Sequence, residues 1–273
     1  MGAIQKTAIV IPCFNEARRL KPETFYDYLD KNEGIFFYFV NDGSNDRTEV
    51  ILENMCARAP NRLYWKSLDQ NKGKAEAVRE GILTAMEQDF DAIGYLDADL
   101  SAPLECINDL LKCLQDPNIR LAMGSRVLLL GRRIKRKAVR HYLGRAFATA
   151  ASLVLGMAVY DTQCGAKIFR TDATSKQLFS DPFFTRWIFD VELLVKMMAL
   201  HRYSGLPALD RCVLEYPLKQ WENAGGSKLK ISDYAVACID LLKISMFRFV
   251  PGLIPQFKSI HARYQGAGRH EHH

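Results

Sequence analysis

AIGYLDAD, residues 92–99, is a short apolar run that ends in two acids. Such a run, bounded by polar residues, predicts a buried β-strand over Ala92–Leu96. The stretches Arg47–Arg58 and Lys72–Gln88 have apolar residues at helical spacing. Further strands are predicted at Thr7–Ile11, Ile35–Val40, Leu63–Lys66 and Ile119–Met123. This alternation predicts an α/β fold with a Rossmann-like, open, mostly parallel sheet flanked by helices.

The second half of the chain has a different pattern. Two more strands are predicted, at Ala166–Phe169 and Cys212–Leu218, and they are separated by a helix at Trp187–Leu200. A long apolar-rich helix is predicted over Ile231–Phe249, and Pro251 prevents its extension. The sequence therefore predicts a C-terminal, largely helical elaboration of the sheet.

The composition is that of a globular protein. Of 273 residues, 48% are hydrophobic and 25% charged, which excludes the disordered and fibrous classes. Because no Pro-, Gly- or Ser-rich linker divides the chain, we expect a single domain over residues 1–265 followed by a tail at 266–273. The formal charge of +6 favours anionic partners.

Seven scattered cysteines without C-x-x-C spacing argue against a disulfide framework and a zinc site, and they favour a reducing compartment. The N-terminus has no signal-peptide pattern. The longest stretch without a charged side chain, Ala146–Tyr160, is shorter than the roughly 20 residues that span a bilayer. We therefore expect a cytoplasmic protein without a transmembrane helix, while a helix lying on a membrane stays open.

Polar residues follow the predicted strands at the edge where open α/β sheets bind ligands. Asp97 and Asp99 point to the same side of the chain and would repel each other unless a cation lies between them. A hard divalent ion, Mg²⁺ or Mn²⁺, is expected there together with phosphate oxygens. Two interpretations remain for the polar cluster at residues 41–46: a turn that caps the following helix, or a ligand site.

Phosphate binding is expected at the start of the helix after the third strand. The residues Asn71–Lys74 offer backbone amides and the Lys74 ammonium to a phosphate. Neither G-x-G-x-x-G after the first strand nor a P-loop is present, which argues against a common dinucleotide fold and a P-loop NTPase.

Together these motifs resemble those of a known family. IVIPCFNE at 9–16, VNDGS at 40–44, NKGK at 71–74 and DAD at 97–99 are similar to the successive motifs of family 2 glycosyltransferases with the GT-A fold. DTQCGAK at 161–167, RWIFDVEL at 186–193 and GSKL at 226–229 resemble dolichyl-phosphate β-glucosyltransferases and their polyprenyl-phosphate relatives. The resemblance implies a nucleotide-sugar-binding half at 1–125 and a half that faces acceptor and membrane at 126–265.

The resemblance also implies roles for individual residues. Asp42 would hydrogen-bond the base, and Asp97 and Asp99 would hold the sugar and the metal-bound diphosphate. Ser101 stands where many relatives have a Gln metal ligand, and Ala166 where they have a bulky aromatic residue. The other residues expected near the nucleotide are Pro12, Phe14, Glu16 and Lys74.

The departing diphosphate gains negative charge, which cations can stabilise. Arg126, after the fifth strand, and Lys228, in a Gly-rich loop, are the candidates. The alternatives are a buried salt bridge for Arg126 and a solvated loop charge for Lys228.

Two acids lie on the helix predicted at Trp187–Leu200. Asp190 matches the family position that would take a proton from a sugar hydroxyl acceptor. A lipid phosphate is already an anionic nucleophile, and Asp190 would then orient a sugar hydroxyl or the Arg cluster. For Glu192 we expect a helix cap or a surface charge.

A basic run lies between Gly131 and Arg145, with seven Arg or Lys residues and no acid. Beside an apolar helix it favours anionic lipid headgroups and a polyprenyl phosphate. A solvated charge run is the alternative, and nucleic acid is disfavoured because no binding motif accompanies the run. The acceptor and membrane contacts expected here are Arg132, Arg133, Arg136 and Arg140.

The sequence thus predicts an inverting, metal-dependent enzyme that moves a hexose, most simply glucose, from a UDP-sugar to dolichyl or undecaprenyl phosphate. It would act as a peripheral protein at the cytoplasmic membrane face. The alternatives are the same fold acting on a glycan or soluble hydroxyl, and a non-catalytic membrane- or nucleic-acid-binding protein.

Overall fold

The computed structural model describes residues 4–135, 138–222 and 231–249. Within these ranges the strands, in chain order, are β1 Thr7–Cys13, β2 Ile35–Asn41, β3 Leu63–Ser67, β4 Ala92–Leu96, β5 Leu121–Ser125, β6 Arg133–Lys135, β7 Ala166–Arg170, β8 Val213–Pro217 and β9 Gln220–Glu222. The helices are α1 Pro22–Lys31, α2 Thr48–Arg58, α3 Lys74–Ala85, α4 Cys106–Cys113, α5 Ala138–Leu155, α6 Ala173–Ser180, α7 Phe189–Tyr203 and α8 Ile231–Phe249. A 3₁₀ turn occupies Leu209–Arg211.

Seven strands form one sheet in the order β3-β2-β1-β4-β7-β5-β8. All neighbours pair in parallel except β7, which runs antiparallel to both β4 and β5. The two remaining strands, β6 and β9, pair in parallel as a small separate sheet. The predicted open, mostly parallel α/β sheet is therefore confirmed.

Side chains of the central strands alternate between two hydrophobic cores. Val10 belongs to a core with α3, α5, α6, α7 and α8, whereas Ile9 and Ile11 belong to a core with α1, α2 and α4. Because both faces of the sheet are covered, these strands are nearly continuous apolar runs. The polar residues that follow the strands are thereby concentrated at one edge.

The predicted boundaries differ from the observed ones where the chain turns. The strand Ala92–Leu96 and the helix Ile231–Phe249 have the predicted bounds. The fifth strand, predicted at Ile119–Met123, lies instead at Leu121–Ser125. The Ile119 amide closes a turn onto Asp116, while Gly124 and Ser125 pair with β8. In the described residues no helix has the length and apolarity needed to cross a bilayer.

Candidate active site

A cavity of about 550 Å³ lies at the carboxyl ends of β1, β2 and β4. Its walls come from both halves of the chain, including α5, α8, the loop before β7 and the start of α7. The residues predicted from sequence that line it are Pro12, Phe14, Glu16, Asp42, Lys74, Asp97, Asp99, Arg126 and Asp190. The structure thus brings together the acids and the strand ends that the sequence places far apart.

The two acids after β4 are held by a strained turn. Leu100 has φ +50°, which is uncommon for a residue with a side chain, and its amide donates to the Asp97 carbonyl at 3.1 Å. The Ser101 amide donates to Asp99 Oδ1 at 2.9 Å. Both carboxylates therefore border the same cavity, as their spacing predicts.

Gly165 supports Asp97 from the neighbouring strand end. Its carbonyl accepts the Asp97 N–H at 3.0 Å. A Cβ at Gly165 would lie 1.9 Å from Asp97 Oδ2, so only glycine leaves room for the carboxylate. The sequence gives no indication of this role for Gly165, because the DTQCGAK motif does not show that Gly165 packs against Asp97.

Lys74 forms an ion pair with the first acid of the pair. Its ammonium lies 2.5 Å from Asp97 Oδ1, and its side chain is 26% exposed. Burial acts to lower the pKa of Lys74, but the carboxylates of Asp97, Asp190 and Asp99 outweigh it and raise that pKa. Lys74 is therefore charged and central among three acids of the cavity.

Asp42 organises the loop that precedes α3. Its carboxylate accepts hydrogen bonds from the amides of Lys72 and Gly73, at 2.7 and 2.9 Å, and from Asn71 Nδ2 at 3.0 Å. Burial raises the pKa of Asp42, and the two amides partly offset this. The prediction that the amides of Lys72 and Gly73 are offered to a phosphate is wrong, because Asp42 already occupies them.

Arg126 is held by Asp161 in a bidentate ion pair, with contacts of 2.6 and 2.7 Å. The Arg126 amide also donates to this carboxylate, and the guanidinium lies 5.5 Å from the Trp221 ring centroid. Burial acts to lower the pKa of Arg126, but Asp161 outweighs it and raises that pKa. The salt-bridge alternative for Arg126 is thus observed, at a position that still borders the cavity.

Asp190, at the start of α7, is 2% exposed. Its Oδ1 accepts a hydrogen bond from the Tyr95 hydroxyl at 2.5 Å and forms an ion pair with Lys167. Lys167 is fully buried and also donates to the carbonyls of Thr162 and Cys164, at 2.9 and 2.8 Å. A charged network therefore underlies this wall of the cavity.

The prediction of a helix cap or a surface charge at Glu192 is wrong. Glu192 is 1% exposed and accepts hydrogen bonds from the amides of Phe184 and Thr185. Lys196 forms an ion pair with it at 3.3 Å. Burial raises the pKa of Glu192 despite these partners. Glu192 secures the loop before α7 rather than meeting solvent.

Three further arginines line the cavity that sequence analysis did not assign to it. Arg19 pairs with Glu16. Arg145 donates to the Tyr160 carbonyl at 2.9 Å and stacks 3.8 Å from the Tyr160 ring centroid. Arg186 donates to Asn71 Oδ1 at 2.7 Å. Arg145 belongs to the basic run and Arg186 to the RWIFDVEL motif, so both lay in segments already singled out.

None of the remaining predicted cations whose side chains the structure describes lines this cavity. Arg132 and Arg133 lie before and in β6, away from the cavity lining, and Arg133 is exposed. The backbone of Arg140 lies in α5. Lys228, Arg136 and the side chain of Arg140 lie outside the described residues, so their predicted roles stay predictions.

The acid pair fits a hard divalent cation. Asp97 and Asp99 offer carboxylate oxygens to one cavity, and a cation there would offset the repulsion between them. Across residues 4–135, 138–222 and 231–249, no three His, Cys, Asp or Glu side chains form a ligand cluster. The protein would thus supply one or two carboxylates, with diphosphate oxygens and water completing the shell, as is usual for Mg²⁺.

Comparison with known protein families gives a match over most of the sheet. The model of the family described as "Glycosyl transferase family 2" matches residues 8–178, which include β2–β7, nearly all of β1 and both acids. The chain belongs to glycosyltransferase family 2. It is therefore a glycosyltransferase.

Relatives of this glycosyltransferase include dolichyl-phosphate β-glucosyltransferases. It is 32% identical over 254 residues to the protein named "Dolichyl-phosphate beta-glucosyltransferase ALG5C" from Trichomonas vaginalis, with 88% of this chain and 71% of that protein covered. It is 29% identical to the human dolichyl-phosphate β-glucosyltransferase, with 82% and 70% covered.

Solved structures share its fold. Glucosyl-3-phosphoglycerate synthase from Mycobacterium tuberculosis, crystallised with UDP, has a TM-score of 0.60 and 17% identity, with 89% of this chain and 80% of that chain covered. The same enzyme has been crystallised with Mn²⁺, UDP and its glucosyl product. The predicted GT-A fold of this glycosyltransferase is thus confirmed.

Proposed function

We propose that this glycosyltransferase moves glucose from UDP-glucose to a polyprenyl phosphate, dolichyl or undecaprenyl, with inversion at the anomeric carbon. The observation that carries the proposal is a single cavity that joins the acid pair and Lys74 to an apolar wall. The names of the relatives from Trichomonas vaginalis and human support glucose and a dolichyl phosphate as substrates.

The polar end of the cavity suits the donor. Pro12 lies near the end of β1, Phe14 and Glu16 follow that strand, and Asp42 follows β2, where the nucleoside would lie. A divalent ion held by Asp97 and Asp99, when bound, would neutralise the charge that the departing diphosphate gains. Lys74 lies beside Asp97 and would contribute to the same stabilisation.

Apolar side chains and two arginines of the same cavity suit a lipid phosphate. The cavity is lined with apolar surface by Leu143, Phe147 and Ala148 of α5, by Trp187 before α7, and by Ala237 of α8. Arg145 and Arg186 also line it, and the hydrogen bonds described above join them to neutral oxygens. A phosphate oxygen of the acceptor would attack the anomeric carbon as the bond from that carbon to the β-phosphate oxygen breaks, releasing UDP.

Substrate assays test the donor and the acceptor directly. A panel of radiolabelled nucleotide sugars with undecaprenyl and dolichyl phosphate is expected to give labelled lipid from UDP-glucose. Calorimetry with UDP, with and without Mn²⁺, is expected to show tighter binding with the metal, and Asp99→Asn is expected to abolish that difference. Wild-type protein that binds no UDP under either condition would refute the proposal.

A hydroxyl acceptor is the second candidate, because the Asp190 carboxylate borders the cavity. Asp190→Asn separates the two acceptors. A general base contributes about 10²- to 10⁴-fold, so a loss of that size in kcat would favour a hydroxyl acceptor. A loss of about 10-fold would favour the lipid phosphate, which needs no base.

We further propose that the protein lies on the cytoplasmic membrane face. Leu130 is fully exposed and Leu128 is 64% exposed, in the loop between β5 and β6 that leads into the basic run. All seven cysteines are thiols, which fits a reducing compartment. Exposed apolar residues on the adjacent helices are Tyr142, Leu143, Leu153, Val236, Ile239, Leu242 and Met246.

Vesicle flotation tests this surface. Replacing Leu128, Leu129 and Leu130 by serine is expected to reduce binding to vesicles that contain phosphatidylglycerol, because exposed apolar side chains insert at the interface. The matched control is Val50→Ser, since Val50 is 52% exposed on α2 and lies outside the cavity. Unchanged binding of the triple variant would refute the surface, and so would an equal loss in the control.

A further inference from the structure

Lys167 is a buried cation whose three N–H donors all have partners. Its side chain is fully buried in β7, between Tyr95 of β4 and Met123 of β5 in the strand register. The ammonium contacts the carbonyls of Thr162 and Cys164 as well as the Asp190 carboxylate. An ammonium has three donors, so its hydrogen-bonding capacity is used completely.

These contacts connect two parts of the cavity wall. The loop of Thr162 and Cys164 also contains Asp161, which holds Arg126, and Gly165, on which the Asp97 carboxylate rests. Asp190 belongs to α7 and also lines the cavity. Lys167 therefore fixes α7 relative to the loop that seats the acid pair.

The network leaves one oxygen of Asp190 for the cavity. Tyr95 and Lys167 are opposite each other in the β4–β7 register and both contact Oδ1. No residue in the described part of the chain donates a hydrogen bond to Asp190 Oδ2. This oxygen is also not one of the fully buried side-chain atoms that lack a partner. A carboxylate oxygen that borders a cavity and has no protein donor is a strong hydrogen-bond acceptor.

We propose that Lys167 is a positioning residue for the donor sugar: it directs Asp190 Oδ2 toward a hydroxyl of the hexose. The inference rests on the proposed function, because it assumes that a nucleotide hexose occupies the cavity. Lys167 itself does not line the cavity and so acts only through Asp190 and the 161–165 loop. Because UDP lacks the hexose, this contact strengthens the binding of UDP-glucose but not that of UDP.

The test compares the affinities for UDP-glucose and UDP by calorimetry. Asp190→Asn and Lys167→Met are each expected to lower the ratio of these affinities about ten-fold, because a hydrogen bond to a charged acceptor is lost or misdirected. In the double variant the ratio is expected to match that of Asp190→Asn, since Lys167 acts through Asp190. Tyr95→Phe is expected to lower the ratio less, because the ion pair remains.

A matched control separates positioning from general stability. Lys196 is another buried lysine that pairs with an acid of α7, but neither it nor Glu192 lines the cavity. Lys196→Met is expected to lower the unfolding temperature without changing the affinity ratio. If Lys167→Met does not fold, the double variant and Tyr95→Phe carry the test, because neither leaves a buried charge without its partner.

The outcomes distinguish this inference from the proposed function. An unchanged ratio in Lys167→Met and Tyr95→Phe, or a double variant with a further ten-fold loss relative to Asp190→Asn, would overturn the positioning role alone. A wild-type protein that binds neither UDP-glucose nor UDP would overturn both.

Discussion

Replacing Gly165 by alanine tests the geometry of the acid pair. The new Cβ would lie 1.9 Å from Asp97 Oδ2 and 2.2 Å from its Cγ, whereas real Cβ contacts essentially never fall below 3.0 Å. The backbone cannot easily give way, because the Gly165 carbonyl is bonded to the Asp97 amide. The carboxylate must therefore move by about 1 Å, and a displacement of that size in an active site costs about 10²-fold in rate.

The assay is steady-state glucose transfer from UDP-glucose to dolichyl phosphate, with thermal unfolding measured on the same samples. We expect kcat/KM to fall about 100-fold in Gly165→Ala. Calorimetry with UDP is expected to show a smaller effect of Mn²⁺ than in the wild type. The displaced carboxylate is one of the two that would hold the metal.

Gly124→Ala is the matched control. Gly124 lies in β5, and a Cβ there would meet the end of the Leu218 side chain at 3.0 Å and Cys164 Sγ at 3.1 Å, both of which can shift. This variant is expected to retain most of the activity. The reasoning would be refuted by a folded Gly165→Ala protein whose kcat/KM stays within about three-fold of wild type.

Three further predictions concern ion pairs and hydrogen bonds. Arg126→Lys cannot keep the bidentate contact with Asp161, so we expect urea unfolding to show a loss of about 1–3 kcal/mol in unfolding free energy. An unchanged urea midpoint would contradict this. Burial acts to raise the pKa of Asp46, but hydrogen bonds from the Thr48 hydroxyl and amide outweigh it and lower that pKa. Asp46→Asn should therefore lower the free energy of unfolding above pH about 4. The difference in unfolding free energy between wild type and variant should vanish as pH falls through the lowered pKa. A difference that does not change between pH about 7 and 3 would argue against this. Glu192→Gln leaves the buried Lys196 ammonium without its carboxylate. Thermal unfolding should therefore show a loss of about 3 kcal/mol or more in unfolding free energy, and a variant as stable as the wild type would contradict the importance of this ion pair.

Much of the sheet was predictable because its strands are buried on both faces and bounded by polar turns. The first strand was nevertheless predicted to end at Ile11, before Pro12, yet β1 continues to Cys13. Its pairing with β4 ends at Val10, while its pairing with β2 continues through Pro12. Proline is tolerated where one side of a strand has no ladder, and a single sequence does not show where a ladder ends.

Residues of the candidate site were predictable where ionisable side chains directly follow a strand, as Asp97 and Asp99 follow β4. Their partners were less accessible, because a buried ion pair is formed by residues that are distant along the chain. Lys167 is a charged residue within a five-residue strand, and nothing in its neighbourhood reveals that Asp190 lies above it. Glu192 differs from Lys167, because its partners Phe184, Thr185 and Lys196 are near in sequence; the sequence pattern does not show that the preceding loop folds over this carboxylate and buries it.

The antiparallel strand β7 has a consequence for how the protein is synthesised. It fills the position between β4 and β5, so β5 cannot join the rest of the sheet until Ala166–Arg170 has been translated. A nascent chain that has left the ribosome only as far as β5 holds two apolar strands with no neighbour between them. Open strand edges of this kind are prone to aggregation, so we expect residues 1–125, expressed alone, to need a chaperone.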